Sequence, residues 1–257
     1  MSNVSALAKS KRIVLKVGSS SITNGNEKNL QLIADFAKRM RQAGKELVVV
    51  SSGAIATAAP LLGLKIKTDD LPTSQALASI GQAMLMGRYE RALSGHDIIP
   101  GQILLTVDNL EQSQTAQNAL LALERLIEVG VLPIINENDS VATSEIRFGD
   151  NDQLAAKVAK LIGADLLILL SDVDSLYTKP PGDPGAERLS LVSPDFDLES
   201  IEVSGTSTGY GTGGAVTKLV AARLATAAGI GVLLTESSNI ATLDSLEITH
   251  TWFEPAV

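Results

Sequence analysis

Short apolar runs alternate with helix-period patterns along most of the chain. The runs RIVLKV (12–17), ELVVVSS (46–52), IIPGQILLT (98–106), VLPIIN (131–136), LLILLSD (166–172) and GVLLTE (231–236) have strand length and are apolar on both faces. Between them, 28–43, 73–94, 115–129, 152–162 and 215–228 carry apolar positions at helical spacing. In 152–162, for example, Leu154, Val158, Leu161 and Ile162 share one face. Strands without a polar face, separated by helices, predict a parallel sheet covered on two sides. The expected fold class is α/β: a doubly wound, mainly parallel sheet sandwiched by helices.

The rhythm breaks over 173–214, which is rich in Gly, Pro, Ser, Thr and Asp and contains KPPGDPG at 179–185. A connection that long is usually functional or disordered. The expected organisation is a single domain over 1–257 with two lobes on one sheet, about 1–170 and about 171–257.

In open parallel sheets, ligands bind beyond the carboxyl ends of the strands. The polar residues collect there: Lys16-Val17-Gly18-Ser19-Ser20, Ser51-Ser52-Gly53, Asn136 to Asp139, and Ser171-Asp172. Four strand ends thus aim polar groups at one rim. Lys16 with Gly18 suits a phosphate, because Gly admits it to the backbone amides and Lys supplies a point charge. Taken alone, KVGSS reads more readily as a solvated lysine before an ordinary turn. Ser51-Ser52-Gly53 precedes a helix and suits either an anion or a helix cap with Ser as the capping residue. GYGTGGAVTK (209–218) matches G-x-G-x-x-G formally, but no strand precedes it, so a dinucleotide-binding oxidoreductase is disfavoured. A loop covering phosphates, with Lys218 on the first turn of the next helix, is the remaining functional reading; a surface loop is the bland one.

The most unusual stretch is NENDSVATSEIRFGDND (136–152), with five carboxylates, three amides and a single opposing Arg147. If 149–152 run extended, Asp150 and Asp152 share a face about 6–7 Å apart. At that distance they repel by roughly 2.5 kcal/mol at an effective dielectric near 20. Either the acids splay into water or cations gather them: Mg²⁺, a substrate ammonium, Lys16 or Lys218. Asn136, Asn138 and Asn151 could read an ammonium and a carboxylate. Phosphoryl transfer brings such groups together, because its catalysis is positioning plus charge stabilisation.

Composition narrows the alternatives. Hydrophobic residues make up 45% of the chain but aromatics only 3%, so aliphatic side chains fill the core. A formal net charge of −8 and no basic stripe argue against nucleic acid as a partner. The absence of Cys excludes disulfides, thiolate zinc sites and Cys nucleophiles. His96 and His250 are the only histidines, so neither a His-based triad nor a His-rich metal site is expected, and no direct metal ligand is assigned. The first residues lack a secretory pattern, and no apolar run is long enough to cross a bilayer, so a cytoplasmic protein without a membrane partner is expected.

KVGSSSIT, SSGAIA, IGQAMLM (80–86), GQILLT (101–106), PIINENDSVATSEIRFGDND (133–152), LLSDVDSLYT (169–178) and GTGGAVTK (211–218) occur in the order seen in the glutamate 5-kinases, and the chain resembles that family over nearly its whole length. The resemblance implies the amino acid kinase fold, ATP and Mg²⁺, and phosphorylation of the L-glutamate side-chain carboxylate in proline biosynthesis. It implies glutamate binding by Ser52, Gly53, Asn136, Asp139 and Asn151. It places Lys16, Lys218, Asp150 and Asp152 in catalysis, the lysines on the transferring phosphoryl group and Asp152 orienting them. ATP would be held by Lys16, Ser171, Asp172, Thr212, Gly213, Gly214 and Lys218. The two lobes become glutamate-binding and ATP-binding. A homo-oligomer and hand-over to glutamyl phosphate reductase are further implications. Ala58, Ser175 and Ala215 stand where the family usually has Gly, Gly and Met. Many relatives continue into a C-terminal PUA domain, and this chain is expected to be the kinase domain only. The alternatives are a kinase of the same fold acting on another carboxylate or phosphate, and a non-catalytic amino-acid or nucleotide sensor. Retention of the whole charge set opposes the sensor. An attacking carboxylate is already ionised near neutral pH, so no protein base is required.

Overall fold

The computed structural model describes residues 1–23, 25–26, 28–64, 70–141, 151–197 and 215–256. In chain order the elements are α1 (Asn3–Lys9), β1 (Arg12–Val17), α2 (Lys28–Gln42), β2 (Glu46–Ser51), α3 (Ala54–Ala58), α4 (Leu71–Ser94), β3 (Pro100–Leu105), α5 (Val107–Glu111), α6 (Ser113–Glu128) and β4 (Leu132–Glu137). Then follow α7 (Asn151–Leu161), β5 (Leu166–Ser171), β6 (Leu176–Tyr177), β7 (Arg188–Leu189), β8 (Leu191–Val192), α8 (Ala215–Thr226), β9 (Gly231–Glu236) and β10 (Thr251–Phe253). The main sheet has eight strands in the order β3-β4-β2-β1-β5-β9-β10-β8. The first six run parallel, and β10 turns antiparallel against β9.

The six expected strands and five expected helices all form, with ends displaced by a few residues at most. The start of α4 shows how an end is set: Asp70 accepts the Thr73 amide 3.1 Å away, and Pro72 lies in the first turn. The segment 173–214 contains more than loop, since β6 and β7 pair and β8 joins the main sheet beside β10. Strands of two residues carry no readable period, so the pattern could not announce them.

Two apolar layers cover the sheet. On β1, Ile13, Leu15 and Val17 face one side and pack in a cluster with Ile33 and Phe36 of α2 and Leu85 and Tyr89 of α4. Val14 faces the other, in a cluster with Leu154 and Val158 of α7 and Leu219 and Ala222 of α8. Helix α4 reaches α3 closely through Gly81, where a Cβ would fall 1.8 Å from the carbonyl oxygen of Ala54. That contact seats α3 directly behind the Ser51-Ser52-Gly53 strand end. At the opposite, amino-terminal ends of the central strands, Arg12 pairs with Glu46 and Glu124, and Asp165 accepts the backbone amides of Lys11 and Arg12. Among the described residues, no helix is long and apolar enough to cross a membrane.

Candidate active site

Strand order makes β1 the turning point of the sheet: β2 lies on one side of it, and β5, reached from β4 through α7, on the other. The crevice beyond such a point is where an open α/β sheet places ligands. The two-residue period of β1 sends Lys16 to the same side as Val14, toward α7 and α8. Lys16 is not the solvated lysine that its motif alone suggests; it is 4% exposed. Its Nζ lies 2.6 Å from Oδ1 of Asp152 on the first turn of α7. Lys218, on the first turn of α8, brings its own Nζ to 3.4 Å from Oδ2 of the same carboxylate. The Thr217 hydroxyl donates to that oxygen at 3.0 Å.

Asp152, with 0% exposure, therefore holds two ammonium groups from opposite ends of the chain. Asp152 is helical, so the extended spacing considered for 149–152 does not describe it. Burial would raise its carboxyl, but the charges of Lys16 and Lys218 and their hydrogen bonds outweigh burial and hold it at about 2. Burial lowers the Lys218 ammonium and Lys16 lowers it further, while Asp152 and Asp172 oppose the shift. Lysines are seldom buried without a partner because desolvation is costly. Two of them converge on this one carboxylate, an arrangement that suits an anionic ligand.

Next to this centre, Gly18 has φ −74°, a conformation open to any residue. A Cβ there would lie 3.8 Å from Lys16 Nζ and 3.8 Å from Ser21 Oγ. The missing side chain thus clears space at the ammonium rather than supplying a special backbone angle. Ser237 donates its only hydroxyl proton to the Ser171 carbonyl at 2.8 Å, so Ser21 supplies the proton between the two hydroxyls. That chain ties the turn after β1 to the ends of β5 and β9. Exposed Asp172 accepts from the Ser171 hydroxyl at 3.1 Å.

A second, neutral constellation lies at the ends of β2 and β4. The Asn151 amide nitrogen lies 2.8 Å from the Ser51 carbonyl, 2.8 Å from Ser52 Oγ and 2.7 Å from Asn136 Oδ1. Asn136 lies within β4, not beyond it, and its amide nitrogen donates to Gln82 Oε1 at 2.7 Å. Tyr89 donates to Ser51 Oγ at 2.9 Å. Ser52 does not cap α3: Gly53 holds the cap position at φ +104° and no side chain bonds to the helix there. The Ser52 hydroxyl meets the Asn151 amide instead, while the Ser51 hydroxyl donates to the Ser52 carbonyl at 3.1 Å. Asp139, half-buried just past β4, has its carboxyl pushed up to about 6 by burial.

The structure brings Lys16, Asp152 and Lys218 together, and separately joins Ser52, Asn136 and Asn151. Asp150, Thr212, Gly213 and Gly214 lie outside the described residues. Gln82, Tyr89, Thr217 and Ser237 were not legible as site residues. Gln82 had a signal, as a polar side chain within the apolar run IGQAMLM; Ser237 had none.

Comparison with known proteins agrees with this geometry. The family model described as the amino acid kinase family matches residues 11–236. The chain belongs to the amino acid kinase family. It is 51% identical over 249 residues to a glutamate 5-kinase of Clavibacter michiganensis subsp. michiganensis, covering 97% of this chain and 96% of that protein. A glutamate 5-kinase of Streptomyces avermitilis is 46% identical over 255 residues, covering 97% of this chain and 68% of the relative. Among solved structures, a carbamate kinase from Giardia lamblia bound to AMP-PNP matches with a TM-score of 0.67 at 15% identity, over 97% of this chain and 100% of that one. At that identity the likeness speaks to the fold, which is the amino acid kinase fold.

Proposed function

We propose that the chain is an ATP-dependent glutamate 5-kinase, catalysing the first step of proline biosynthesis. An oxygen of the γ-carboxylate of L-glutamate attacks the γ-phosphorus of ATP. The bond from that phosphorus to the bridging oxygen breaks, and the products are L-glutamyl 5-phosphate and ADP. The observation that carries this reading is the buried Asp152, which holds the ammonium groups of Lys16 and Lys218 side by side at the strand ends.

Charge on a transferring phosphoryl group spreads over its three equatorial oxygens. Lys16 and Lys218 are placed to meet that charge, and Asp152 keeps them oriented between turnovers. Gly18 leaves room for the phosphate beside Lys16. Ser171 and Asp172, with Thr212, Gly213 and Gly214, hold ATP in the lobe over about 171–257. Ser52, Gly53, Asn136, Asp139 and Asn151 hold glutamate in the lobe over about 1–170. Asp150 stays in the catalytic set on the strength of the family resemblance. Because the attacking carboxylate is ionised, these residues position and screen charge rather than move protons.

Magnesium suits this site as an ion carried on the ATP phosphates. Both Asp152 oxygens face lysines, and among the described residues no three acidic or histidine side chains gather to ligate a metal. When bound, the ion neutralises charge on the β- and γ-phosphates. The family resemblance and the lability of an acyl phosphate in water also support a cytoplasmic homo-oligomer that passes its product to glutamyl phosphate reductase.

The test is incubation with ATP, Mg²⁺ and a panel of carboxylic acids, with hydroxylamine present to trap any acyl phosphate. Hydroxamate from glutamate, and not from aspartate or N-acetylglutamate, is expected. Hydroxamate only from another acid would transfer the reading to a different kinase of this fold.

A further inference from the structure

The neutral constellation has a direction that can be read from the backbone. An amide side chain presents an oxygen and a nitrogen of similar size, so its orientation follows from its partners. The Glu137 backbone N–H can only donate, and it donates to Asn136 Oδ1 at 2.9 Å. Asn136 therefore turns its nitrogen away, and Gln82 Oε1 receives it at 2.7 Å. The Ser51 carbonyl can only accept, so the atom of Asn151 facing it must be the nitrogen, which also reaches Asn136 Oδ1. Two backbone groups thus agree on one polarity for three buried amides.

That polarity leaves one atom free at each end. Among the described residues, neither Gln82 Nε2 nor Asn151 Oδ1 has a hydrogen-bond partner, although both side chains are buried. A buried polar atom without a partner costs about 1–3 kcal/mol, which a ligand group can relieve. The free oxygen belongs to the residue that also reaches Ser52.

We propose that Gln82 on α4 is a positioning residue for the amino-acid substrate. By accepting from Asn136 it anchors the Asn136–Asn151 pair in the polarity that the backbone sets, so that Asn151 Oδ1 is offered to an N–H donor of the substrate. This rests on the glutamate reading above and assigns Gln82 a part in it. Without the Gln82 acceptor, the buried Asn136 nitrogen loses its partner, and the Asn136–Asn151 pair loses the contact that holds its position against α4. A displaced Asn151 no longer presents Oδ1 where the ammonium group of an amino acid needs an acceptor. Gln82 thereby favours acids that carry an amino group over equally long acids that lack one.

The test compares wild type with Gln82→Met, Gln82→Leu and Gln82→Glu, using hydroxamate formation from glutamate and from glutarate, which lacks the amino group. Wild-type activity with glutamate establishes the parent reading independently, and its absence would sink that reading first. Loss of one orienting hydrogen bond corresponds to about a tenfold change. Met and Leu at position 82 are expected to raise the glutamate KM about tenfold, leave the ATP KM within about twofold, and cut the glutamate-to-glutarate preference about tenfold. Gln82→Glu still offers Asn136 an acceptor and is expected to keep the preference. A purely structural role would lower the amount of folded enzyme without moving the preference. An unchanged preference in Gln82→Met or Gln82→Leu, or its loss in Gln82→Glu, would overturn the assignment.

Discussion

Replacing Asp152 by Asn keeps shape and removes one charge from the most buried ionic group of the site. Lys16 Nζ and Lys218 Nζ lie 2.6 and 3.4 Å from its oxygens. At an effective dielectric near 20, those separations correspond to about 6 and about 5 kcal/mol of attraction. Desolvation of three buried charges offsets much of that sum, so the pair energies overstate the net effect. Removing one partner of a buried pair typically costs about 3–5 kcal/mol, because the remaining charge is stranded. Asp152→Asn is expected to lose that amount in urea unfolding at pH 7. The pH dependence has a definite sign. In the wild type the Asp152 carboxyl, held at about 2, lies below its ordinary value of 3.8. Its stabilisation is present above the ordinary value and is lost as the pH falls toward 2. In the variant Lys218, whose ammonium burial already lowers, is stranded and binds fewer protons folded than unfolded, so the variant gains stability as the pH rises. The gap to wild type should therefore narrow between pH 7 and about pH 9.5. Adding Lys218→Met to the variant should recover about 1 kcal/mol or more, as expected for directly coupled side chains. A loss below about 1 kcal/mol, or strict additivity of the two substitutions, would refute a shared buried ion cluster.

Other perturbations separate fold from chemistry. Gly81→Ala drives a Cβ to 1.8 Å from the Ala54 carbonyl oxygen. It should cost about 3 kcal/mol and lower Tm by about 6–12 °C; an unchanged Tm would mean that α3 and α4 do not pack this tightly. Gly18→Ala adds a Cβ with no contact closer than 3.8 Å, so Tm should hold while the ATP KM rises several-fold. An unaffected ATP KM would remove the phosphate from that position. The Asp139 carboxyl, at about 6, should make kcat/KM for glutamate climb as the pH rises through that value. Asp139→Asn should flatten the climb and raise the glutamate KM, and a persisting climb would assign it to another group. Because its folded-state value is raised, Asp139 favours the ligand-free fold at low pH, a contribution lost as the pH rises through about 6.

The fold was legible because its cues are periodic. Both-face apolar runs and helical spacing placed β1, β2, β5 and β9 almost to the residue, and their polar ends marked the rim. Short pieces such as β8 and β10 depend on pairing across the sheet edge, which no local pattern encodes. For the site, sequence supplied the right residue types but not their environments. KVGSS by itself cannot say whether Lys16 is solvated; that depends on Asp152, 136 positions away, and on which side of β1 meets α7. SSGAIA suggested a capping serine, yet Gly53 takes the cap because its positive φ turns the chain, freeing Ser52 for Asn151. Gln82 sits inside the apolar run IGQAMLM, and its role appears only when Asn136 of β4 arrives beside it.

The two lysines are assigned to the transferring phosphoryl group, and they should matter for the chemical step far more than for substrate binding. A direct test is single-turnover phosphoryl transfer in Lys16→Met and Lys218→Met, with the glutamate dissociation constant measured separately by calorimetry. The account predicts transfer slowed at least a hundredfold in each, while glutamate affinity stays within about threefold, the pattern expected for an interaction made mainly in the transition state. Transfer and affinity falling together, or transfer continuing at the wild-type rate, would contradict it.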